Sequence, residues 1–268
     1  MDAIDYCANK VATQGTPGYY VVLFQPPPVR AALVALRALE RELSDVAELC
    51  TDQAVAQRKL NYWQQELHSN STLASHPVTR ALHQFASGVL DDDARARLIA
   101  ATAQRIGRAQ VRDDSEFDQL STASAGTIAH ACAQITGEAR TGVTEAAIAA
   151  ERLRLLSMPQ RAGLPAHSGI ALSTLTACAV TPQQVDRGGI AEGLAPLRQS
   201  LLDHLAEATQ KADQLLEQRR GYVATSLRIT RLLLAANRLN NYAHSGELAR
   251  VAPLSLLWHA WRTRPRQS

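Results

Sequence analysis

The residues best suited to chemistry lie in one stretch, Ala35 to Glu48, which reads ALRALERELSDVAE. Asp45 and Glu48 stand one helical turn apart, Ser44 precedes Asp45, and Arg41 lies four residues before it. Residues three or four apart share a helix face, so Arg41 and Asp45 suit an ion pair of about 0.3–0.5 kcal/mol. On that reading Asp45 and Glu48 are ordinary solvated helix surface. Arg37 on the same helix, with Arg152, Arg154 and Arg161 further on, offers different chemistry. Guanidinium forks hold a phosphate or an acidic headgroup without a metal; the plainer reading makes these arginines surface residues. Asp91-Asp92-Asp93 reads as acid at a helix start, since three contiguous residues cannot all face one way. His76 and His83 share a helix face at i, i+7 but lack a third ligand.

Other signatures are missing. There is no G-x-x-x-x-G-K-[ST], no G-x-G-x-x-G, no H-E-x-x-H and no G-x-S-x-G elbow. Cys7, Cys50, Cys132 and Cys178 are far apart and show no C-x-x-C spacing. They read as reduced thiols of a cytoplasmic-type compartment rather than a zinc site. The net charge of +3 is too small for a nucleic-acid footprint, and three Phe, six Tyr and three Trp are too few for base-stacking surfaces. Residues 1–20 show no apolar signal region. No stretch approaches the ~20 uncharged apolar residues that span a bilayer. The C-terminal Trp258 and Trp261, followed by Arg262, Arg264 and Arg266, suit an anionic membrane or a partner. A frayed terminus that packs both tryptophans onto the bundle is the commoner outcome.

The elements that must position these residues are helices. Val29, Leu33, Leu36, Leu39, Leu43 and Val46 follow the helical period, as do Ile190, Leu194, Leu197, Leu201, Leu205, Ala208, Ala212 and Leu215. Only Tyr19 to Phe24 has strand-like composition, and it reads as the end of a loop or the start of a helix. Punctuation by Gly15-Thr16-Pro17-Gly18, Pro26-Pro27-Pro28, Ser75-His76-Pro77 and Thr181-Pro182 sets the breaks. The pattern predicts helices over 3–13, 28–49, 53–69, 77–88, 93–106, 116–137, 144–157, 182–187, 191–219, 222–243 and 253–262, with loops over Pro159–Gly169 and Arg187–Gly189. With 46% hydrophobic and 20% charged residues, 268 residues suffice for one all-α domain spanning 1–268.

The stretch from Ala35 to Glu48 resembles the first aspartate-rich helix of the squalene/phytoene synthase family, which reads roughly A-L-Y-A-F-x-R-E-x-D-D-x-x-D. Gly18-Tyr19-Tyr20 resembles the family's S-F-Y entry, and Pro28 with Arg30 its P-x-x-x-R. Trp63 with Glu66-Leu67 is similar to its W-x-x-E-L, and His76-Pro77-Val78 with Ala81-Leu82 to its H-P-V-x-x-A-L. Ser124 to Ile128 matches its small-residue stretch, and Val180-Thr181-Pro182 its G-V-T-P. These landmarks run in order from about residue 5 to residue 186.

The resemblance implies the isoprenoid synthase fold, a single helical bundle around a central cavity. It also implies that Tyr19, Tyr20, Arg30, Arg37 and Arg41 bind substrate. The metal-binding aspartates of the first motif correspond to Ser44 and Glu48, and Asp45 lies between them. If the chain is active, Asp45 and Glu48 hold Mg²⁺. The second motif, L-x-N-I-x-R-D-x-x-E-D, falls on Ala150 to Arg161, which holds no aspartate; Glu151 stands about two turns early and Pro159 ends the helix. Prenyl coupling needs Mg²⁺ held from both sides of the cavity to stabilise departing pyrophosphate. The chain therefore resembles the branch with degraded motifs, which includes a mitochondrial complex I assembly factor. Two readings follow. One is a non-catalytic protein, without cofactor, that binds a lipid, prenyl ligand or protein partner, with peripheral membrane contact. The other is an active enzyme joining two prenyl diphosphates head-to-head, with diverged Mg²⁺ ligands.

Overall fold

The computed structural model describes residues 2–107, 110–156, 170–188, 195–216, 220–239 and 251–265. All secondary structure in those residues is helical. In chain order the helices are α1 (Ala3–Val11), α2 (Pro17–Val22), α3 (Pro27–Leu49), α4 (Gln53–His68), α5 (Pro77–Phe85), α6 (Asp92–Arg105) and α7 (Asp114–Ser121). A π-helical turn (Thr122–Gly126) joins α7 to α8 (Thr127–Thr136). Next come α9 (Val143–Leu156), α10 (Leu172–Ala177), α11 (Pro182–Gly188), α12 (Ala195–Leu216), α13 (Tyr222–Leu239) and α14 (Pro253–Thr263).

Side-chain caps set the starts. Thr16 caps α2 ahead of Pro17, so the aromatic run after it is a short helix. Asp52 accepts from the Ala54 and Val55 amides at the head of α4. Asp91 accepts from the Ala94 amide, which makes the triple aspartate a cap and a first turn. At α5 the cap is His76, whose Nδ1 accepts from the Val78 amide at 3.1 Å. Burial holds that imidazole below its ordinary pKa, which suits an acceptor nitrogen. The single helix predicted over 116–137 is interrupted by the π turn, and α10 was not anticipated, being six residues with too little period to register. Pro159–Gly169 and Arg161 lie outside the described residues.

Helix α3 is the axis of the main core. Leu33, Leu36, Leu39 and Leu43 are buried on its apolar stripe, against α1, α5, α6 and α8. Helix α9 packs on α12, α13 and the π turn, and so stands across the molecule from α3. A second apolar cluster joins α2, α9, α12, α13 and α14 through Tyr20, Leu153, Leu205, Ile229 and Leu256. Between the two clusters the wall of the π turn, α8 and α9 is made of small residues, Ala125, Ala129, Ala146, Ala147 and Ala150. Close-packed side chains leave few voids, so this run of methyl groups is what keeps the interior open.

Candidate functional site

The cavity opens where α3 turns its polar stripe inward. Its outer lobe, of about 520 Å³, is lined by Lys10 from α1, Arg37, Glu40, Arg41, Ser44 and Asp45 from α3, and Arg154 from α9. An inner lobe of about 230 Å³ continues from it along the alanine wall to Ile229 and Leu233 of α13. Gly18, Val21, Arg37, Glu40, Arg154, Tyr222 and Ser226 border both lobes. The site is thus a charged mouth leading into an apolar recess, a shape that takes a ligand with one polar end.

Every carboxylate at this mouth has a cation against it. Arg37 meets Glu40 at 2.6 Å, and Arg41 meets Asp45 at 2.8 Å, the i, i+4 pair expected from the sequence. Lys10 lies 2.5 Å from Glu42 and 3.2 Å from Asp45. Arg154 spans the cavity. Its Nη2 and Nη1 donate to Glu48 on α3 at 2.5 and 3.0 Å, while its Nε and Nη2 donate to Glu151 at 2.7 and 2.9 Å. Arg105 of α6 donates to Glu151 at 2.7 Å from the other side. Glu48 is therefore not solvated surface; it is clamped, and its side chain is only 11% exposed. Arg154 is not a surface residue either. Glu151, too early for the family's metal motif, is the residue that holds Arg154 in place.

The electrostatics follow from burial and pairing. Burial raises the Glu151 carboxyl, but Arg154 and Arg105 outweigh it and hold it well below the usual carboxylate range. Burial pushes Glu40 upward against the pull of Arg37. Lys10, Arg37, Arg41 and Arg154 line the outer lobe with Glu40 and Asp45, while Glu42, Glu48 and Glu151 stand behind them, so the charges of the network balance once Arg105 is included. Each lining cation keeps between 21% and 39% of its side chain accessible.

These donors do not fit Mg²⁺. A divalent ion needs carboxylate oxygens whose charge is not already compensated. Here a guanidinium or ammonium stands on each, and one guanidinium bridges the two facing helices. Among the described residues no three Asp, Glu, His or Cys side chains converge as a ligand set.

Of the substrate-binding residues implied by the resemblance, Arg37 and Arg41 face the cavity. Tyr19 and Tyr20 do not line it. They stack edge to face at 5.3 Å against the second apolar cluster, and Gly18 and Val21 line the wall instead. Arg30 donates to the Gln25 carbonyl and tightens the turn into α3. Arg152 lies under Phe117 and donates to Asp114 and Asp118 at 2.7 Å, pinning α9 to α7. Lys10, Glu40, Tyr222 and Ser226 were not foreseen. They come from three separate helices and carry no local motif.

A family model described as squalene/phytoene synthase matches residues 11–258. The chain belongs to the squalene/phytoene synthase family. Among curated proteins no sequence matches it. Solved structures of the same fold include a dehydrosqualene synthase in complex with ligand (TM-score 0.74, 14% identity, covering 97% of this chain and 95% of that one). Squalene synthase HpnC from Alicyclobacillus acidocaldarius aligns at TM-score 0.69 and 18% identity over 90% of this chain and 94% of that one. YisP from Bacillus subtilis subsp. subtilis strain 168 aligns at 0.65 and 12% over 97% and 95%. At these identities the likeness establishes the all-α isoprenoid synthase fold. On the two helices that face the cavity this chain carries Ser44, Asp45 and Glu48 (α3) and Glu151 and Arg154 (α9).

Proposed function

We propose that this family member binds an amphiphile with an anionic head and a prenyl or other lipid tail, without metal, and does not couple prenyl diphosphates. The observation that carries the reading is Arg154, which joins Glu48 to Glu151 across the cavity. The accessible faces of Lys10, Arg37, Arg41 and Arg154 would hold the head by charge-assisted hydrogen bonds. The alanine-lined lobe would take the tail. Ionising a prenyl diphosphate requires charge stabilisation that grows as pyrophosphate departs, and cations already compensated by carboxylates have little to add. A binding or assembly role matches the degraded branch of the family. The alternative, head-to-head condensation of two prenyl diphosphates with diverged Mg²⁺ ligands, draws on the neighbours that are themselves synthases.

Two measurements on the purified chain separate these. In the first, farnesyl or geranylgeranyl diphosphate is incubated with Mg²⁺ and NADPH and the products are read by mass spectrometry. We expect no C30 or C40 hydrocarbon and no cyclopropyl diphosphate; either product establishes the alternative. In the second, farnesyl diphosphate is titrated calorimetrically in EDTA. Binding that survives EDTA and weakens at least about tenfold in Ala147→Leu, which fills the inner lobe, supports the proposal. No binding, with or without Mg²⁺, removes it.

A further inference from the structure

Helix α14 is apolar on both sides. Leu256, Ala260 and Thr263 face inward, onto α13 and α2. The Thr263 hydroxyl lies 2.7 Å from that of Thr225, and the Thr263 carbonyl accepts from the Gly221 amide at 2.8 Å, so the helix is anchored. The opposite side presents Leu254, Leu257, Trp258 and Trp261 at i, i+3, i+4 and i+7, with exposures of 79%, 37%, 52% and 43%. Half of the large apolar side chains exposed among the described residues lie on this one stripe. The tryptophans stack on each other at 5.4 Å and turn outward rather than packing onto the bundle.

Within residues 251–265 the charge has one sign. Arg262 lies over the Trp258 ring at 5.8 Å, and Arg264 over the Trp261 ring at 4.6 Å. Residues 251–265 contain no carboxylate. Arg228 of α13 is exposed nearby, and burial together with the like charges of Arg228 and Arg262 holds the His259 imidazole below its usual range. An apolar stripe containing Trp, with Arg262 and Arg264 over its rings, suits the headgroup region of an anionic bilayer: the rings sit at the interface and the guanidiniums meet lipid phosphates. A protein partner would need acidic groups around an apolar groove, and a second copy would set these arginines against themselves.

We infer that the outer face of α14 docks this protein on an anionic membrane surface through Leu254, Leu257, Trp258 and Trp261, with Arg262 and Arg264 contacting lipid phosphates. The inner face of α14 rests on α2 and α13, the helices whose Val21 and Leu233 line the apolar lobe. Docking there sets the lipid-type cavity beside the bilayer. The inference stands whether or not the cavity binds as proposed.

Vesicle flotation and tryptophan emission test it with the full chain. Trp63 is buried, so Trp258 and Trp261 carry the change in emission. We expect flotation with mixed phosphatidylcholine–phosphatidylglycerol vesicles but not with phosphatidylcholine alone, together with a blue-shifted emission. R262Q/R264Q should weaken binding about 10–30-fold, given about 1 kcal/mol per basic residue at the surface. W258S/W261S should abolish both flotation and shift. Leu254→Glu, at the most exposed apolar position, should also prevent flotation without disturbing the fold. Failure of the folded wild type to float at low salt overturns the inference, as does flotation unchanged in W258S/W261S. A dimer in sedimentation that W258S/W261S dissolves, with no vesicle binding, assigns the face to a second copy and likewise overturns it.

Discussion

Glu66 and Glu151 are both buried carboxylates, 6% and 5% exposed, and both are held below the usual carboxylate range. They reach that state by different means. Glu66, on α4, is surrounded by neutral donors: the Ser75 hydroxyl and amide, the His76 amide and the Thr79 hydroxyl, all at the entrance to α5. Glu151 is surrounded by the guanidiniums of Arg105 and Arg154. The first arrangement is a joint between two helices in which both carboxylate oxygens are already taken by donors of the fold. The second is part of a balanced charge network at the edge of a cavity, where a ligand can compete for the cations. The difference separates a carboxylate that serves the fold from one that shapes a site.

Removing the bridge should give the largest effect. Arg154→Met leaves Glu48 without its cation and Glu151 with only Arg105, and the expected loss is about 3–5 kcal/mol in urea unfolding. A loss below about 1 kcal/mol would mean that the bridge contributes little to the α3–α9 contact. Next in size is Glu66→Gln, at about 2–3 kcal/mol at neutral pH. The Glu66 carboxyl is lowered to about 2, because burial, which raises it, is outweighed by Ser75, Thr79 and the two amides. A depressed pKa means that this stability is fully present above the ordinary carboxylate value, and is lost as the pH falls from there through about 2. Wild type and Glu66→Gln should therefore converge in Tm as the pH approaches 2; parallel curves would contradict the assignment. Thr79→Val, nearly isosteric, removes one donor to the charged group and should cost about 1.5 kcal/mol by the same measurement. Smallest is Asp45→Asn at the mouth, below about 1 kcal/mol and diminishing with added salt, because that pair is partly solvated. If Asp45→Asn matched Arg154→Met, the division between surface pair and cavity bridge would fail.

Much of the fold was legible in the sequence. The leucine period of α3 specifies a buried stripe wherever the helix packs, and the acid at Asp91 marks the start of α6. The ordered landmarks from Tyr19 to Pro182 supplied the family. The Arg41–Asp45 pair was also legible, since i, i+4 geometry is a property of the helix itself. The π turn at Thr122 and the burial of Tyr20 were not.

The sequence by itself determined that the aspartates are missing from both expected positions, because that is a matter of residue identity. Only the tertiary structure decided what stands in their place. Glu48 and Arg154 are 106 residues apart in the chain, and no local period links them. Their contact exists because α3 and α9 face each other across the cavity. The sequence likewise placed Trp258 and Trp261 on one helix face, but whether that face turns in or out depends on its rival. Leu256, Ala260 and Thr263 fit onto α13 and α2, and the tryptophans were left outside.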